Sequence, residues 1–258
     1  MKTENVHAFL RGGLRVAKKG GSRHLKRYAI PRRLKLPRKS YVWAMKPAAG
    51  GHPSKNSVPL RIALRDYLSV GRTAREVDRV VTDGNIVVDG KTRRDPSFPI
   101  GFMDVVRLTA LNRSYRVLLD HRGHLTLSEI NPAETSIKLC RVTHKRIVRG
   151  KKVHITFHDG KTILGDLDEF KPGDVAKLAL PELRVLERLP FEVGTIALVT
   201  GGSNVNKAGR ISEIKLITGS QPNIVTLKGN GEKFQAPEHY VFIVGRGKPS
   251  ISLPGVNP

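Results

Sequence analysis

The basic residues of this chain are concentrated at its N-terminal end. Fifteen lysines and arginines face a single acidic residue, Glu4, in residues 1–60, so this stretch carries +14 of the formal net charge of +24. Paired glycines and several prolines interrupt the stretch, and neither helical nor strand periodicity survives these breaks. A segment with this composition cannot bury enough apolar surface to fold alone. We therefore predict an extended basic arm that becomes ordered only on a polyanionic partner.

The sign and size of the charge restrict the partners to nucleic acid or an anionic membrane surface. No apolar run reaches the ~18–20 residues of a membrane-spanning helix, and the first 30 residues lack the apolar stretch of a signal peptide. The single cysteine, Cys140, cannot form an internal disulfide, which fits a reducing compartment. We expect a cytoplasmic protein that binds nucleic acid, with no membrane and no small-molecule substrate as a partner.

A solvated basic tail is the alternative interpretation of the arm. Counterion release rewards every phosphate contact, which favours an arm that binds RNA or DNA. Apolar side chains dispersed among the charges predict that the arm is partly anchored on a surface. These side chains are Leu25, Tyr28, Leu34, Leu36, Tyr41 and Trp43.

Residues 58–108 predict two short helices followed by a hairpin. Apolar residues over Leu60–Leu68 have the spacing of one helix face. Thr73 and Glu76 have the spacing of a capping box at the start of a second helix, which a glycine at position 84 ends. Asp89-Gly90 predicts a tight turn between two strands.

Arginines lie on the outward faces of both predicted helices, which suits this unit to cradle a phosphate backbone. An ordinary α+β domain with solvated arginines is the alternative. The arginines concerned are Arg61, Arg65, Arg72, Arg75 and Arg79.

The remainder of the chain predicts antiparallel β structure. Alternating residues over 153–158, followed by an Asp159-Gly160 turn, indicate a half-buried strand, and a further turn at 171–174 precedes the apolar run 175–180. The alternation leaves the order of the strands open. We predict a small antiparallel β domain over residues 107–190.

A strand, a glycine-rich loop and a second strand are predicted over residues 193–214. Gly201, Gly202 and Gly209 suit backbone with positive φ or a close approach to RNA, and Lys207 and Arg210 add cations to the same region. Asn206 is the non-glycine residue type that best tolerates the left-handed conformation. A hairpin with a glycine-rich turn and no RNA partner is the alternative.

Several strings, in order along the chain, resemble the archaeal and eukaryotic small-subunit ribosomal protein family S4e. They are R-H-L-K-R at 23–27, P-x-x-G-x-H at 47–52, P-L-R-I-A-L-R-D-Y-L at 59–68 and V-V-D-G-K-T-R-R-D-x-x-F-P-I-G-x-M-D-V at 87–105. Residues 193–214 resemble a KOW motif, although Asn206 stands where that motif commonly has glycine. The family usually opens near its H-L-K-R string, whereas about twenty residues precede it here.

The resemblance implies an α+β, mostly β protein in four parts. These are a basic N-terminal arm (1–42), an S4-type RNA-binding domain of two helices and a hairpin (43–106), a central antiparallel β domain (107–190) and a KOW-type small β-barrel with a C-terminal tail (191–258). It also implies a non-catalytic constituent of the small ribosomal subunit that supports subunit assembly and translation.

The partners implied are small-subunit ribosomal RNA and neighbouring small-subunit ribosomal proteins. The predicted RNA-binding residues are basic side chains of the arm, the helical unit and the KOW loop. They are Lys18, Lys19, Arg23, His24, Lys26, Arg27, Arg32, Arg33, Arg61, Arg65, Arg72, Arg75, Arg79, Lys91, Arg93, Lys207 and Arg210.

No catalytic, cofactor or metal site is predicted. His154 and His158 fall in a strand pattern, where a separation of four residues is roughly 13 Å and cannot chelate one ion. The glycine-rich loop lacks the G-K-[ST] ending of a P-loop. Asp95 and Asp104 are interpreted as turn and cap residues.

Two further alternatives stay open. The first is an RNA-modifying enzyme that shares the S4-type domain, with Asp95 or Asp104 as its nucleophile. The second is a transcription elongation factor that carries a KOW motif.

Overall fold

Three five-stranded antiparallel sheets dominate the computed structural model, which describes residues 22, 24–150, 152–165, 167–229 and 232–253. The predicted fold class, α+β with mostly β structure, is confirmed. Three of the predicted RNA-binding residues, Lys18, Lys19 and Arg23, lie outside the described residues. Within the described residues, no helix is long and apolar enough to cross a membrane.

The part of the N-terminal half that the structure describes alternates short strands with two helices. Its elements are β1 (Leu25–Lys26), β2 (Trp43–Ala44), β3 (Ser57–Pro59), α1 (Leu60–Ile62) continued by a π-helical segment (Ala63–Tyr67), α2 (Ala74–Thr82), β4 (Ile86–Val88), β5 (Lys91–Thr92), β6 (Pro99–Gly101), β7 (Val105–Leu108), β8 (Arg113–Leu119) and β9 (Leu125–Glu129). Single 3-10 turns occur at Arg27–Ala29, Ser54–Asn56, Thr109–Leu111, Pro132–Glu134 and Glu238–Tyr240.

The local sequence signals in this half are confirmed. The Thr73 hydroxyl accepts a hydrogen bond from the Glu76 amide and the Glu76 carboxylate accepts one from the Thr73 amide, so α2 begins with a complete capping box. Asp89 and Gly90 both have positive φ, 50° and 76°, as a two-residue hairpin turn of type I′ requires. The predicted first helix forms, but only its first three residues are α-helical.

A single sheet extends across the predicted boundary between residues 106 and 107. Its strand order is β5-β4-β7-β8-β9, so the hairpin β8–β9 adds two strands to the predicted RNA-binding unit. The boundary falls inside β7 itself. The predicted RNA-binding unit and the segment that follows it therefore share one hydrogen-bonded sheet and one core.

The arm is more ordered than its composition predicts. The prediction that it becomes ordered only on its partner is wrong for residues 24–42. Ile30 and Leu34 are buried in the main core, and the Leu125 amide donates to the Arg33 carbonyl at 2.8 Å. Anchoring through Leu34 is confirmed, whereas Tyr28, Tyr41 and Trp43 project into solvent. Apolar side chains that are widely spaced along the sequence can still supply a docking contact for a basic segment.

The central sheet has strand order β12-β11-β10-β13-β14. The strands are β10 (Ile137–Ile147), β11 (Val153–Phe157), β12 (Thr162–Gly165), β13 (Val175–Ala179) and β14 (Arg184–Leu189). The alternation read from the sequence is confirmed, because Val153, Ile155 and Phe157 are buried and the residues between them are not. This inner face forms a second, smaller core.

The C-terminal sheet is a half-barrel with strand order β18-β17-β16-β15-β19. Its strands are β15 (Thr195–Val199), β16 (Ala208–Lys215), β17 (Ile224–Gly229), β18 (Glu232–Pro237) and β19 (Val241–Arg246). The predicted strand, loop and strand over 193–214 correspond to β15, the connecting loop and β16. The core of this sheet is continuous with that of the N-terminal sheet.

Candidate RNA-binding surface

The helical unit presents three free arginines to solvent. Arg72, Arg75 and Arg79 lie at the start and on the outer face of α2, and each is exposed. Among the described residues, no carboxylate lies within salt-bridge distance of these three guanidinium groups. The buried stripe of the same helix, which includes Val77 and Val81, fixes which face is turned outward. This arrangement suits contact with a phosphate backbone.

Arg61 and Arg65 differ because both are already paired. Arg61 donates two hydrogen bonds to Asp78 on α2 and so fastens the two helices together. Arg65 pairs with the adjacent Asp66 at 2.9 Å. A guanidinium that is bonded to a carboxylate offers less charge to a phosphate, so these two predicted residues contribute more to the unit's own geometry.

In the arm, exposed cations surround one buried arginine. His24, Lys26 and Arg32 are exposed, as predicted for RNA-contacting residues. Arg27 is only 3% exposed, and its Nε donates to the Pro37 carbonyl. We therefore assign Arg27 a structural role in folding the arm back on itself.

Lys91 and Arg93 follow the hairpin turn between β4 and β5. Lys91 is exposed at the strand that forms the sheet edge. Arg93 is half-buried, and its guanidinium carbon lies 4.3 Å from the centre of the Phe98 ring. The stacking on Phe98 orients Arg93 and limits the part of it that RNA can reach.

The loop between β15 and β16 has the backbone that its sequence predicts. Asn206 adopts the left-handed conformation, with φ of 65°, and Gly202 has φ of 85°. Gly201 and Gly209 are required by protein contacts, since an added Cβ would lie 2.6 Å from the Tyr240 ring and 2.9 Å from the Lys228 carbonyl oxygen, respectively. The loop is thus packed against its own sheet, not left open for RNA to approach these two glycines.

Lys207 and Arg210 flank this loop and are both exposed. The Lys207 ammonium lies 5.6 Å from the centre of the Phe234 ring and 3.9 Å from the Glu232 carboxylate. An exposed pair at that distance contributes little to stability, so Lys207 is available to a phosphate. Arg210 projects from β16.

A basic groove of about 1020 Å³ lies where the arm meets the C-terminal loop. Arg33 joins the two walls, because its guanidinium donates to the Thr200 carbonyl at 3.2 Å. Burial lowers the pKa of Arg33, and Tyr240 opposes that shift. The described residues that line the groove include no aspartate or glutamate. Its cationic and histidine side chains are those of Arg32, Arg33, Lys35, Arg38, Arg122 and His124.

Four of these six side chains were not among the predicted RNA-binding residues. They are Lys35, Arg38, Arg122 and His124. Arg122 and His124 come from the β8–β9 turn, which carries no motif of its own in the sequence. The charge runs around Lys35 and Arg38 were visible in the sequence, but nothing local shows that they meet a turn some ninety residues further along the chain.

A buried charge cluster joins the N-terminal and central sheets. Lys138 on β10 is fully buried, and its ammonium lies 2.6, 2.5 and 2.8 Å from carboxylate oxygens of Asp89, Asp104 and Asp159. Lys161 adds a second ammonium, which contacts Asp89 and Asp159. The cluster holds the two sheets in register through hydrogen-bonded charges.

The protonation states in the cluster follow from this geometry. Burial opposes ionisation of Asp104, but Lys138 and His52 together outweigh it and hold the pKa of Asp104 far below its ordinary range. Burial likewise opposes ionisation of Lys138, and the surrounding carboxylates, Asp104 first, hold its pKa well above the ordinary value. Burial is the main cause of the lowered pKa of the neighbouring His158, at about 4; Asp159 opposes the shift, and Lys138 and His52 add to it.

The contacts of these aspartates also bear on whether they could bind a metal ion or act as a catalytic nucleophile. Asp89, Asp104 and Asp159 are close enough together to hold a cation, and the Lys138 ammonium lies among them. Asp104 is 3% exposed and paired, which does not suit a nucleophile that must reach a base. The interpretation of Asp104 as a simple cap residue is incomplete, because its carboxylate accepts the Gly101 amide and also binds Lys138. Asp95 is a turn residue, as predicted, and accepts the Ser97 amide.

Comparisons with known proteins identify the family. Family models match at residues 19–55 (RS4NT domain), 66–106 (S4 domain) and 111–185 (ribosomal family S4e). The small ribosomal subunit protein eS4 of Methanothermobacter thermautotrophicus is 41% identical over 90% of this chain and 96% of its own length. The chain belongs to the ribosomal S4e family.

Other S4e proteins agree in length and structure. The eS4 protein of Methanocaldococcus jannaschii is 39% identical over 92% of this chain and 100% of its own length. The crystal structure of the 30S ribosomal protein S4e from Thermoplasma acidophilum has a TM-score of 0.66 and 35% identity, and it covers 74% of this chain and 96% of its own. The resemblance read from the sequence strings is confirmed.

Proposed function

We propose that this S4e protein is a structural constituent of the small ribosomal subunit, where it binds ribosomal RNA and supports subunit assembly and translation. Its partners are ribosomal RNA and neighbouring small-subunit ribosomal proteins, and its place is in cytoplasmic ribosomes. The observation that supports this most directly is the groove of six basic and histidine side chains, which joins the arm, the N-terminal sheet and the C-terminal loop.

The groove and the arginines of α2 support the proposed RNA contacts. We propose that basic side chains bind phosphates in the groove, on the outer face of α2, beside β1, at the edge strand β5 and at the loop before β16. The predicted residues retained as RNA contacts are His24, Lys26, Arg32, Arg33, Arg72, Arg75, Arg79, Lys91, Lys207 and Arg210, to which the groove adds Lys35, Arg38, Arg122 and His124. Lys18, Lys19 and Arg23 stay predictions.

Rigid sheets set the spacing between these contacts. The N-terminal and C-terminal sheets share one core, and the Lys138 cluster fixes the central sheet against them. Cations held at fixed separations recognise the shape of a folded RNA, with base edges contributing less. We propose the four-part organisation 1–42, 43–106, 107–190 and 191–258, with the second and third parts sharing a sheet.

We also propose that the protein has no catalytic step of its own. The carboxylates that an RNA-modifying enzyme would need are occupied, Asp104 by Lys138 and Asp95 by the turn at Ser97. Incubation with small-subunit RNA transcripts should leave every nucleoside unaltered. Appearance of a modified nucleoside would contradict a purely structural role.

Salt dependence tests the RNA-binding mechanism. Each phosphate contact releases counterions, so six to ten contacts lower the affinity by roughly 10³–10⁵ between 50 and 200 mM salt. We expect a steep fall of this kind for the full chain on small-subunit RNA fragments. An affinity that barely changes over this range would exclude binding through phosphates.

Sedimentation tests the assignment to the ribosome. In a density gradient at moderate salt, the protein should migrate with small-subunit particles. Migration with RNA polymerase instead would favour the elongation-factor alternative, for which the described structure offers only the C-terminal half-barrel.

A further inference from the structure

Among the described residues, three large aromatic side chains project into solvent from the arm and from the residue that follows it. Tyr28, Tyr41 and Trp43 are 66%, 70% and 55% exposed, although aromatic side chains are among those that folding usually buries. We call these three residues together with His24 the aromatic patch. Large aromatic groups left exposed by folding mark an interaction surface.

The backbone around the patch is fixed. Lys26 in β1 pairs with Trp43 in β2, and the Arg27 amide donates to the Val42 carbonyl at 2.9 Å. The Arg27 guanidinium, buried beneath the patch, lies 5.3 Å from the centre of the Tyr41 ring. The rings are therefore displayed on a folded hairpin, and little ordering is required of the patch when a ligand binds.

The chemistry of the surroundings is strongly cationic. The sequence has no aspartate or glutamate between Glu4 and Asp66. Lys26, Arg38 and Lys39 are exposed in the same segment. Lys26 pairs with Trp43, Arg38 donates to the Tyr28 carbonyl, and the His24 ring lies 5.5 Å from the Trp43 ring. Exposed rings combined with cations and no anions are the features of a platform for unpaired nucleotides, whose bases stack while their phosphates pair with the cations.

We propose that the aromatic patch stacks unpaired bases of RNA and so distinguishes single-stranded segments from duplex. This inference rests on the proposed function, because it names the RNA element that one part of the surface recognises. The groove and the α2 arginines can bind the phosphates of any RNA, whereas the aromatic patch can stack only on bases that are not paired. The cationic surroundings attract the uniformly negative backbone of RNA more strongly than the surface of a typical protein neighbour, which carries basic as well as acidic side chains.

Trp43 is the only tryptophan of the chain, so its fluorescence reports the patch directly. Single-stranded polyadenylate should quench the fluorescence of the full chain, because a stacked base contacts the indole. Inorganic polyphosphate and an RNA duplex, at the same concentration of phosphate, should bind with much less quenching. Equal quenching by polyphosphate would show that only charge acts at the patch and would overturn the proposal.

Substitution separates stacking from charge. Trp43→Leu should weaken binding of labelled polyadenylate about tenfold or more, and Trp43→Phe should restore most of the affinity. Leu216→Ala, at an exposed apolar residue that directly follows β16, is the control and should leave affinity unchanged. Because Trp43 is exposed, the melting temperature of each variant should stay that of the parent chain.

Two outcomes would overturn the proposal without touching the proposed function. In the first, Trp43→Leu binds polyadenylate like the parent chain. In the second, it binds RNA normally but enters small-subunit particles poorly, which would assign the patch to a protein neighbour. Failure of the parent chain to bind small-subunit RNA at all would instead refute the proposed function.

Discussion

The ammonium of Lys138, on β10 of the central sheet, lies 2.5 Å from a carboxylate oxygen of Asp104, the residue that precedes β7 of the N-terminal sheet. Neither side chain is appreciably exposed. Two buried charges from different sheets can persist only while they compensate each other. The position of the central sheet against the N-terminal sheet is therefore fixed by this ion pair as well as by apolar packing.

Removal of the Lys138 charge should destabilise the fold strongly. Lys138→Met keeps the length of the side chain but leaves three buried carboxylates without their central cation, which should cost about 3–5 kcal/mol of unfolding free energy. Lys177→Met, at an outer pair with Glu187 in the same sheet, should cost less than ~1 kcal/mol. Urea denaturation measures both. Equal losses would show that the cluster has no special energetic role.

The cluster should also confer sensitivity to acid. Burial opposes ionisation of Asp104 and Asp159, but neighbouring cations hold both pKa values below those of the unfolded chain. Lys138 is the main one at both carboxylates, joined by His52 at Asp104 and by His158 and Lys161 at Asp159. Their stabilisation is therefore present above about pH 4 and is lost as the pH falls further, because the unfolded chain binds protons that the folded chain does not. Asp104→Asn should flatten this loss, and Asp168→Asn, at an exposed carboxylate, should not. A flat stability profile between pH 4 and pH 2 would contradict the assignment.

His158 should contribute in a higher pH window. Burial lowers its pKa from 6.5 to about 4, so the folded chain resists a proton that the unfolded chain accepts between these values. Stability should be fully present above about pH 6.5 and fall towards pH 4, with a slope of up to ~1.4 kcal/mol per pH unit. His158→Gln should remove the slope, whereas His144→Gln, at an exposed ring on β10, should preserve it. Thermal melts across this range provide the measurement.

The arm should act as part of the core. Leu34 is 6% exposed and packs in the main cluster, so Leu34→Ala should lower the unfolding free energy by about 2–5 kcal/mol. Val42→Ala, in the same arm but 68% exposed, should change it by less than ~0.5 kcal/mol. An undetectable effect at Leu34 would restore the view that the arm is independent of the fold.

The three free arginines of α2 should govern a measurable part of RNA affinity. Replacing Arg72, Arg75 and Arg79 by alanine should weaken binding to small-subunit RNA and reduce the salt slope by about 2–3, one step for each lost phosphate contact. A matched triple substitution of Arg146, Arg184 and Lys215, which are exposed elsewhere, controls for net charge. If both triples reduce the slope equally, binding reflects charge density and not the geometry of α2.

Features that depend on neighbouring residues could be predicted from the sequence. The capping box at Thr73, the Asp89-Gly90 turn and the left-handed Asn206 each arise from conformational preferences within a few positions. The charge map predicted a polyanionic partner, because electrostatic affinity needs no knowledge of the fold, and the family resemblance narrowed that partner to ribosomal RNA.

Features that depend on distant residues could not be predicted. The groove unites Lys35, Arg122 and Thr200, which no local pattern connects. Lys138 has the pattern of an ordinary strand lysine, and its three carboxylates lie 49, 34 and 21 residues away in the sequence. A buried ion cluster of this kind is specified only by tertiary packing.

The hydrogen bond from Arg33 to Thr200 spans 167 residues, and it sets an order of events during synthesis. At roughly 5–20 residues per second, Thr200 is made about 8–30 s after Arg33. The nascent chain therefore exposes its basic arm well before the loop that carries Thr200 has been synthesised. During that interval the nearest polyanion has first access to the arm, so fidelity of assembly depends on what surrounds the nascent protein as well as on its final shape.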